Sequence, residues 1–333
     1  MKVLQIANYV EGAGGISSQV ELYARNLQKE GICCRIISTK GSVLKRLKAI
    51  ASLIRISKNF DVFHVHACSN IGFFPAVVGI SLGRLLNKKI LLTYHGGDAE
   101  AFFSKHRHLV RLFLLKTDHN IVLSGFLGSV FDKYGIPYTI IPNIVKFRPE
   151  LFKARDIIAP NFICIRSLRP IYNQECILKA YQMVKQVYPS ASLTFLGDGV
   201  DRSKLEAIVS SNAINNVRFV GRVPNSEVPS YLNKADIMLS SPVIDNMPVS
   251  LLEGFNSGLL VISSNVGGVP YMVESGVNGL LFKSNDYKDL ADKMLYACSH
   301  QEESKDMIRN AFHSMNIYSW QNVRNCYLSL CQN

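Results

Sequence analysis

The chain has 333 residues, 48% apolar and 19% charged, which is enough to fill two hydrophobic cores and excludes a disordered chain. Its formal charge of +12 is unevenly spread: residues 1–150 hold 20 Lys and Arg against 9 Asp and Glu, whereas residues 151–333 hold 17 against 16. That asymmetry points to a polyanionic partner for the first half, either nucleic acid or an anionic membrane surface.

The eight cysteines include no C-x-x-C pair, which argues against a zinc site or a disulfide framework and suits a reducing cytoplasm. The opening "MKVLQIANYV" reads as a strand without the pattern of a signal peptide. In chain order, β-rich runs then alternate with amphipathic helical runs. "KVLQIANYV" leads through the loop "VEGAGGISS" into the helix "ISSQVELYARNLQKEG". Glycines there allow close approach of an anion to a helix N-terminus, or simply a tight turn. Ser17 stands where a dinucleotide fingerprint needs its third glycine, and no P-loop lysine follows. "CCRIIST" precedes the basic amphipathic helix "SVLKRLKAIASLIRISKN". "FDVFHVHA" places His64 and His66 on one strand face, with one expected partly buried and the other lining a cleft. "NIGFFPAVVGISLGRLL", interrupted by Pro75 and Arg84, is too short for a comfortable bilayer crossing and reads as a buried helix over 71–86.

"KKILLTYHG" ends in His95, Gly96 and Gly97. A histidine at a strand's carboxyl end can donate to a phosphate or a sugar hydroxyl, or it can be a satisfied core residue. A single helix is expected over "AEAFFSKHRHLVRLFLLK", then strands "HNIVLS" and "YTIIPNIV". The stretch "IVKFRPELFKARDIIAP" reads as a linker. After it the alternation restarts with "NFICIRSL", a helix over 173–188, "SLTFLG", a helix over 201–212, "NVRFVG" and "ADIMLSS". A helix "SLLEGFNSG" closed by Gly258 follows, then strands "LLVISSN" and "GLLFK", then helices. The reading is α/β, with two Rossmann-like domains and parallel sheets, so chemistry belongs on the loops after the strands. Arg166 and Arg169 follow one such strand and offer planar forks to phosphate oxygens. Gly197-Asp198-Gly199 ends another and can equally be a turn. "DNMPVSLLEG" carries two acids, Asp245 and Glu253. Ser250-x-x-Glu253 fits a helix capping box, or the helix start faces an anion while the acids hold hydroxyls.

Taken in order, these loops resemble the glycosyltransferase group 1 family, the retaining sugar-nucleotide transferases of the GT-B fold. The match runs through Gly14-Gly15, "TYHGGD", "IIPNIV" (Ile144 where glycine is usual), "ASLTFLGDGVDRSKLE", "NVRFVGRV" and, most specifically, "MPVSLLEGFNSGLLVISSNVGGVPYMVESGVNGLLF". The closing "YSWQNV" is similar to the family's last segment. The resemblance implies two Rossmann-like domains facing across a cleft: 1–147 on the acceptor side, a linker over 148–160, a nucleotide-sugar domain over 161–316, and a helix over 317–333 returning to the first domain.

It also implies roles. Gly14 and Gly15 let the loop approach the donor diphosphate. His95 meets the donor sugar or its phosphate. Glu253 holds ribose hydroxyls, and Asp245, where glutamate is frequent, binds the transferred sugar. Amides of Met247, Val249, Ser250 and Leu251, with Asn246 and Gly197 alongside, seat the sugar and diphosphate, and Arg222 and Val223 border the base. The family's arginine-lysine phosphate clamp is altered, since Ser167 stands at the arginine position and Tyr172-Asn173 at the lysine-glycine position. Arg166 or Arg169 is the expected replacement. No D-x-D triplet occurs, and neither a cofactor nor a metal ion is expected. The implied partners are a nucleotide-sugar donor, a lipid-linked or other glycan acceptor, and an anionic inner membrane surface, with no nucleic acid. The implied setting is bacterial surface polysaccharide assembly (lipopolysaccharide, capsule or exopolysaccharide), in the cytoplasm and peripherally on the inner membrane. A GT-B-shaped binding or scaffold protein without catalysis is the alternative.

Overall fold

A computed structural model describes residues 1–332. The chain divides into two units, Met1–Lys146 with Ile317–Asn333, and Phe147–Asn316. Each holds one six-stranded sheet in which every pairing is parallel.

In the first unit the strands are β1 (Lys2–Ala7), β2 (Cys33–Ser38), β3 (Val62–Ala67), β4 (Lys89–Tyr94), β5 (His119–Val122) and β6 (Thr139–Ile140), in the order β2-β1-β3-β4-β5-β6. β6 is only two residues long, because "PNIV" leaves the sheet after Ile140. Helices cover both faces, so the central strands are buried almost throughout and mostly apolar, with Gln5, His64, His66 and Thr93 as buried polar exceptions. The helix Phe74–Leu85 packs on this sheet through Gly79 and Gly83. A Cβ at these positions would lie 2.7 Å from Val65 and 2.8 Å from Ile90. Among the described residues no helix is long and apolar enough to cross a membrane. The single helix expected over residues 99–116 is instead two, Ala99–Lys105 and Arg107–Leu114, broken at His106, whose backbone leaves the helical region (φ −124°, ψ 35°). The last helix, Trp320–Gln332, buries Trp320, Val323 and Tyr327 in a core shared with Val3, Tyr23 and Leu91.

The second unit contains β7 (Asn161–Cys164), β8 (Ser192–Leu196), β9 (Val217–Gly221), β10 (Ile237–Ser240), β11 (Leu260–Ser264) and β12 (Leu280–Phe282), in the order β12-β11-β10-β7-β8-β9. Residues 148–160, read from sequence as a linker, pack within this unit. Arg155 is buried, pairs with Asp236 at 3.0 Å, and donates to the carbonyls of Lys153, Leu232, Ala235, Ser257 and Gly258. Truncating one partner of such a buried pair costs roughly 3–5 kcal/mol.

In both sheets the strand order reverses beside the first strand, between β1 and β3 and between β7 and β10. Loops leaving neighbouring strands in opposite directions open a crevice at that point, where open α/β sheets bind ligands.

Candidate functional site

At the second unit's switch point, the chain leaving β7 carries Arg166 and the chain leaving β10 carries Asp245, and the two side chains form an ion pair. Only 13% of the Arg166 side chain and 18% of that of Asp245 is exposed. Arg166 Nη1 also donates to Ser250 Oγ at 3.2 Å, and its guanidinium lies over the Tyr172 ring, 4.1 Å from the centroid. Burial is the largest single influence and pulls this guanidinium's pKa down, but the charge and hydrogen bond of Asp245, with Tyr172 and Cys164, together outweigh it and the net shift is upward, so Arg166 stays a cation. Arg166 Nε is buried without a protein partner. A buried unpaired donor on a cation is the kind of group a ligand oxygen satisfies.

Asp245 is therefore not a free acid. Oδ2 takes Arg166 and Oδ1 accepts the Asn246 N–H at 2.9 Å. Asn246 and Met247 are buried. The helix that follows, Val249–Asn256, begins after Pro248, and Ser250 makes no capping bond. This corrects the capping-box reading: with proline in the capping position, Ser250 falls in the first turn and its hydroxyl serves Arg166 instead. The Leu251 N–H is bonded to the Pro248 carbonyl at 3.1 Å and its side chain is in the core, which removes Leu251 from the expected amide donors. Val249 and Ser250 keep first-turn N–H groups that no helical carbonyl can reach. Glu253 lies one turn beyond Ser250. Its side chain is solvent-accessible, yet the protein packed around it reduces the hydration of its carboxyl and raises it to about 7 against the opposing pull of the Arg166 cation.

The Gly197-Asp198-Gly199 turn is fixed by close approach. A Cβ on Gly197 would fall 2.2 Å from the Arg166 carbonyl, and one on Gly199 would fall 2.1 Å from that of Leu168. Leu168 N–H in turn donates to the Asp198 carbonyl at 3.1 Å. These glycines hold the Arg166 loop in place by letting backbone meet backbone. Arg169 is exposed and forms no ion pair among the described residues; exposed Arg222 and half-buried Val223 follow the edge strand β9. Sequence reasoning treated Tyr172-Asn173 as a loss, yet Tyr172 supplies the aromatic face under Arg166. Asn173 adopts the left-handed conformation (φ 45°, ψ 49°), which asparagine tolerates nearly as glycine does. The six-residue spacing from Arg166 to Tyr172 was the available signal.

In the first unit, Gly14 and Gly15 are exposed with open space above both, and Gly15 (φ 63°) opens the helix Ile16–Lys29. Ser17, which breaks the dinucleotide fingerprint, accepts the Val10 N–H at 3.1 Å and so closes the loop. His64 and His66 are both fully buried, which corrects the expectation that one lines a cleft. β3 is covered on both faces, and the C-terminal helix places Tyr327 Oη 2.9 Å from His64 Nδ1. His64 Nε2 meets Thr93 Oγ1 at 2.8 Å. His66 bridges Gln5 and half-buried His95, each at 3.0 Å. Burial lowers His64 and His95 to about 3 and His66 well below its ordinary value, so all three are neutral at pH 7.

Two parallel-sheet units with these loops define a GT-B glycosyltransferase fold, and comparison with known proteins agrees. Residues 150–314 match the family "Glycosyl transferases group 1" and residues 35–147 match "Glycosyltransferase Family 4". The chain belongs to the glycosyltransferase group 1 family. It is 25% identical over 345 residues to an uncharacterized glycosyltransferase of Methanocaldococcus jannaschii, covering 96% of this chain and 95% of that protein. It is 30% identical over 251 residues to the amylovoran biosynthesis glycosyltransferase of Erwinia amylovora, covering 71% of this chain and 60% of that one. The crystal structure of Anabaena HepE in complex with UDP superimposes with a TM-score of 0.78 at 16% identity, covering 99% of this chain and all of that one.

Proposed function

We propose that this protein is a retaining, nucleotide-sugar-dependent glycosyltransferase that moves a sugar to a lipid-linked glycan acceptor in bacterial surface polysaccharide assembly. The observation that carries the reading is the Arg166–Asp245–Ser250–Glu253 cluster at the second switch point, with a buried, unpartnered Arg166 Nε. UDP bound to HepE supports a nucleotide donor, and the amylovoran relative supports a polysaccharide product.

In this reading the Glu253 carboxylate accepts ribose hydroxyls. Asp245 uses its remaining lone pairs for hydroxyls of the transferred sugar. The bond between the sugar's anomeric carbon and the diphosphate breaks, and the acceptor oxygen bonds to that carbon on the same face. The acceptor's proton leaves with the diphosphate, whose growing charge is met by Arg166, exposed Arg169 and the amides of Val249 and Ser250. Gly14 and Gly15 leave room for an anion at their loop, and Arg222 and Val223 border the base. No metal ion or cofactor has a role.

The test is a donor screen by mass spectrometry with a panel of nucleotide sugars and lipid-linked acceptors. Glu253→Ala is expected to weaken donor binding at least tenfold, as loss of hydrogen bonds to a charged group does. Unchanged binding in a folded variant contradicts the role. The Arg166–Asp245 pair favours one second reading, a binding protein in which Asp245 permanently neutralises the cation. Nucleotide-sugar binding without turnover on any acceptor would select it.

A peripheral membrane position is part of the proposal. The helix Val43–Ser57 exposes Leu44, Leu47, Ala51 and Ile54 along one stripe, flanked by Lys45, Lys48, Arg55 and Lys58, and residues 40–58 contain no acid. Apolar side chains rimmed by cations suit anionic lipid, whereas a second copy of the stripe would set like charges together. Co-sedimentation with phosphatidylglycerol vesicles should be strong at low salt and reduced at high salt, and absence of binding at both removes the membrane claim.

A further inference from the structure

Gln5 is fully buried in β1. Its Nε2 donates to the Val20 carbonyl at 3.0 Å, and flipping the amide would set two oxygens against each other. Oε1 is therefore the atom facing His66. Because Oε1 only accepts, His66 carries its hydrogen on Nε2, 3.0 Å away. A neutral imidazole has one hydrogen, so His66 Nδ1 is a lone pair. His95 Nε2, 3.0 Å from that lone pair, must then be the N–H donor. Neutral His95 is left with a bare Nδ1, and among the described residues no protein group bonds to it.

We propose that Gln5 and His66 are positioning residues that hold His95 as its Nε2–H tautomer, so that Nδ1 accepts the O–H of a sugar hydroxyl and does not donate to a phosphate. The substrate class rests on the glycosyltransferase reading; the tautomer does not. A diphosphate oxygen has no hydrogen to give, and two facing lone pairs repel, so phosphate is a poor partner for this Nδ1. The low basicity that burial imposes on His95 makes Nδ1 a hydrogen-bond acceptor rather than a general base.

Nitrogen NMR of the histidine-labelled full-length protein at pH 7 reads the tautomer directly, with His95 assigned by the signals lost in His95→Asn. The expected spectrum has an unprotonated Nδ1 and a protonated Nε2. An Nδ1–H tautomer or an imidazolium in the free wild-type protein overturns the proposal, whatever the protein acts on. His66→Phe keeps most of the ring volume and removes the acceptor, and Gln5→Leu frees His66 to take either tautomer. Both are expected to give mixed His95 tautomers, and an unchanged Nε2–H population in both overturns the relay. The wild-type spectrum decides even where a variant fails to fold.

With the donor found by the screen, replacing one ring hydroxyl of its sugar by fluorine or hydrogen should weaken binding about tenfold in wild type, and this penalty should shrink in His66→Phe. A penalty that persists unchanged in that variant overturns the hydroxyl assignment. An empty donor screen beside the expected spectrum defeats the glycosyltransferase reading and leaves the tautomer relay standing.

Discussion

The two switch points solve the same burial problem in opposite ways. In the first unit Gln5, His66 and His95 form one hydrogen-bonded chain and Thr93, His64 and Tyr327 another, the two touching where the His64 and His66 rings lie 4.1 Å apart, with the histidines uncharged at pH 7. In the second unit a cation is kept, and Arg166 is sustained by Asp245, Ser250 and the face of Tyr172. The difference follows from chemistry. An imidazole can shed its proton and become neutral, whereas a guanidinium cannot, so burial demands partners for it. A neutral array offers direction, through hydrogens and lone pairs at fixed atoms. An ionic cluster offers field strength, which is what a departing diphosphate requires.

Removing the cation should test this contrast most severely. Arg166→Met leaves Asp245 without its partner and is expected to lower turnover on the order of 100–1000-fold, as loss of a transition-state donor does. It should also lower unfolding stability by about 3 kcal/mol, the low end for a broken buried pair because both side chains remain slightly exposed. Retained turnover would remove Arg166 from the proposed catalytic cluster.

A second expectation is that the units respond to pH with opposite slopes. His64 and His66 have folded pKa values far below the ordinary 6.5, so the unfolded chain binds protons that the folded chain refuses. First-unit stability is therefore fully present above pH 6.5 and lost as pH falls, by about 1.4 kcal/mol per pH unit for each histidine. The single tryptophan, Trp320, is buried in this unit and reports its unfolding by fluorescence. Glu253 works in the other direction. Its carboxyl rises from 4.5 to about 7 on folding, so the second unit loses stability as pH rises through that window. Segment-resolved amide exchange between pH 5 and 7 separates the two, and parallel slopes would end the comparison.

The smallest effect is expected at Tyr172. Tyr172→Leu removes the aromatic face under Arg166 while keeping an apolar contact, and should cost about 1 kcal/mol. A double-mutant cycle with Arg166→Met measures that coupling, and a coupling near zero would make the stacking incidental.

Much of this molecule was legible in the chain order of its residues. Buried parallel strands read as mostly apolar runs, and helices showed their amphipathic period, so two parallel sheets could be expected, though not their strand order. The site was legible only in part. Arg166 and His95 stood out because each follows a strand, and Asp245 and Glu253 because two acids flank a short apolar run, but Ser250-x-x-Glu253 also matched a local capping pattern. That pattern misled, because whether a serine caps a helix or holds an arginine 84 residues away depends on a contact that no local spacing encodes. The break at His106 and the two-residue β6 were missed for a related reason: apolar periodicity does not record where packing bends or ends an element.

The sequence by itself determined the alternation of strands and helices, the charge imbalance between the halves, and the set of polar residues available after each strand. Tertiary structure alone decided which of them meet. Asp245 became the partner of Arg166 across 79 residues, Tyr172 its platform, and Tyr327, 263 residues from His64, the lock on the histidine array. The physical reason is that charge state, tautomer and hydrogen-bond partner are properties of the surroundings of an atom, and those surroundings exist only once distant segments have packed together.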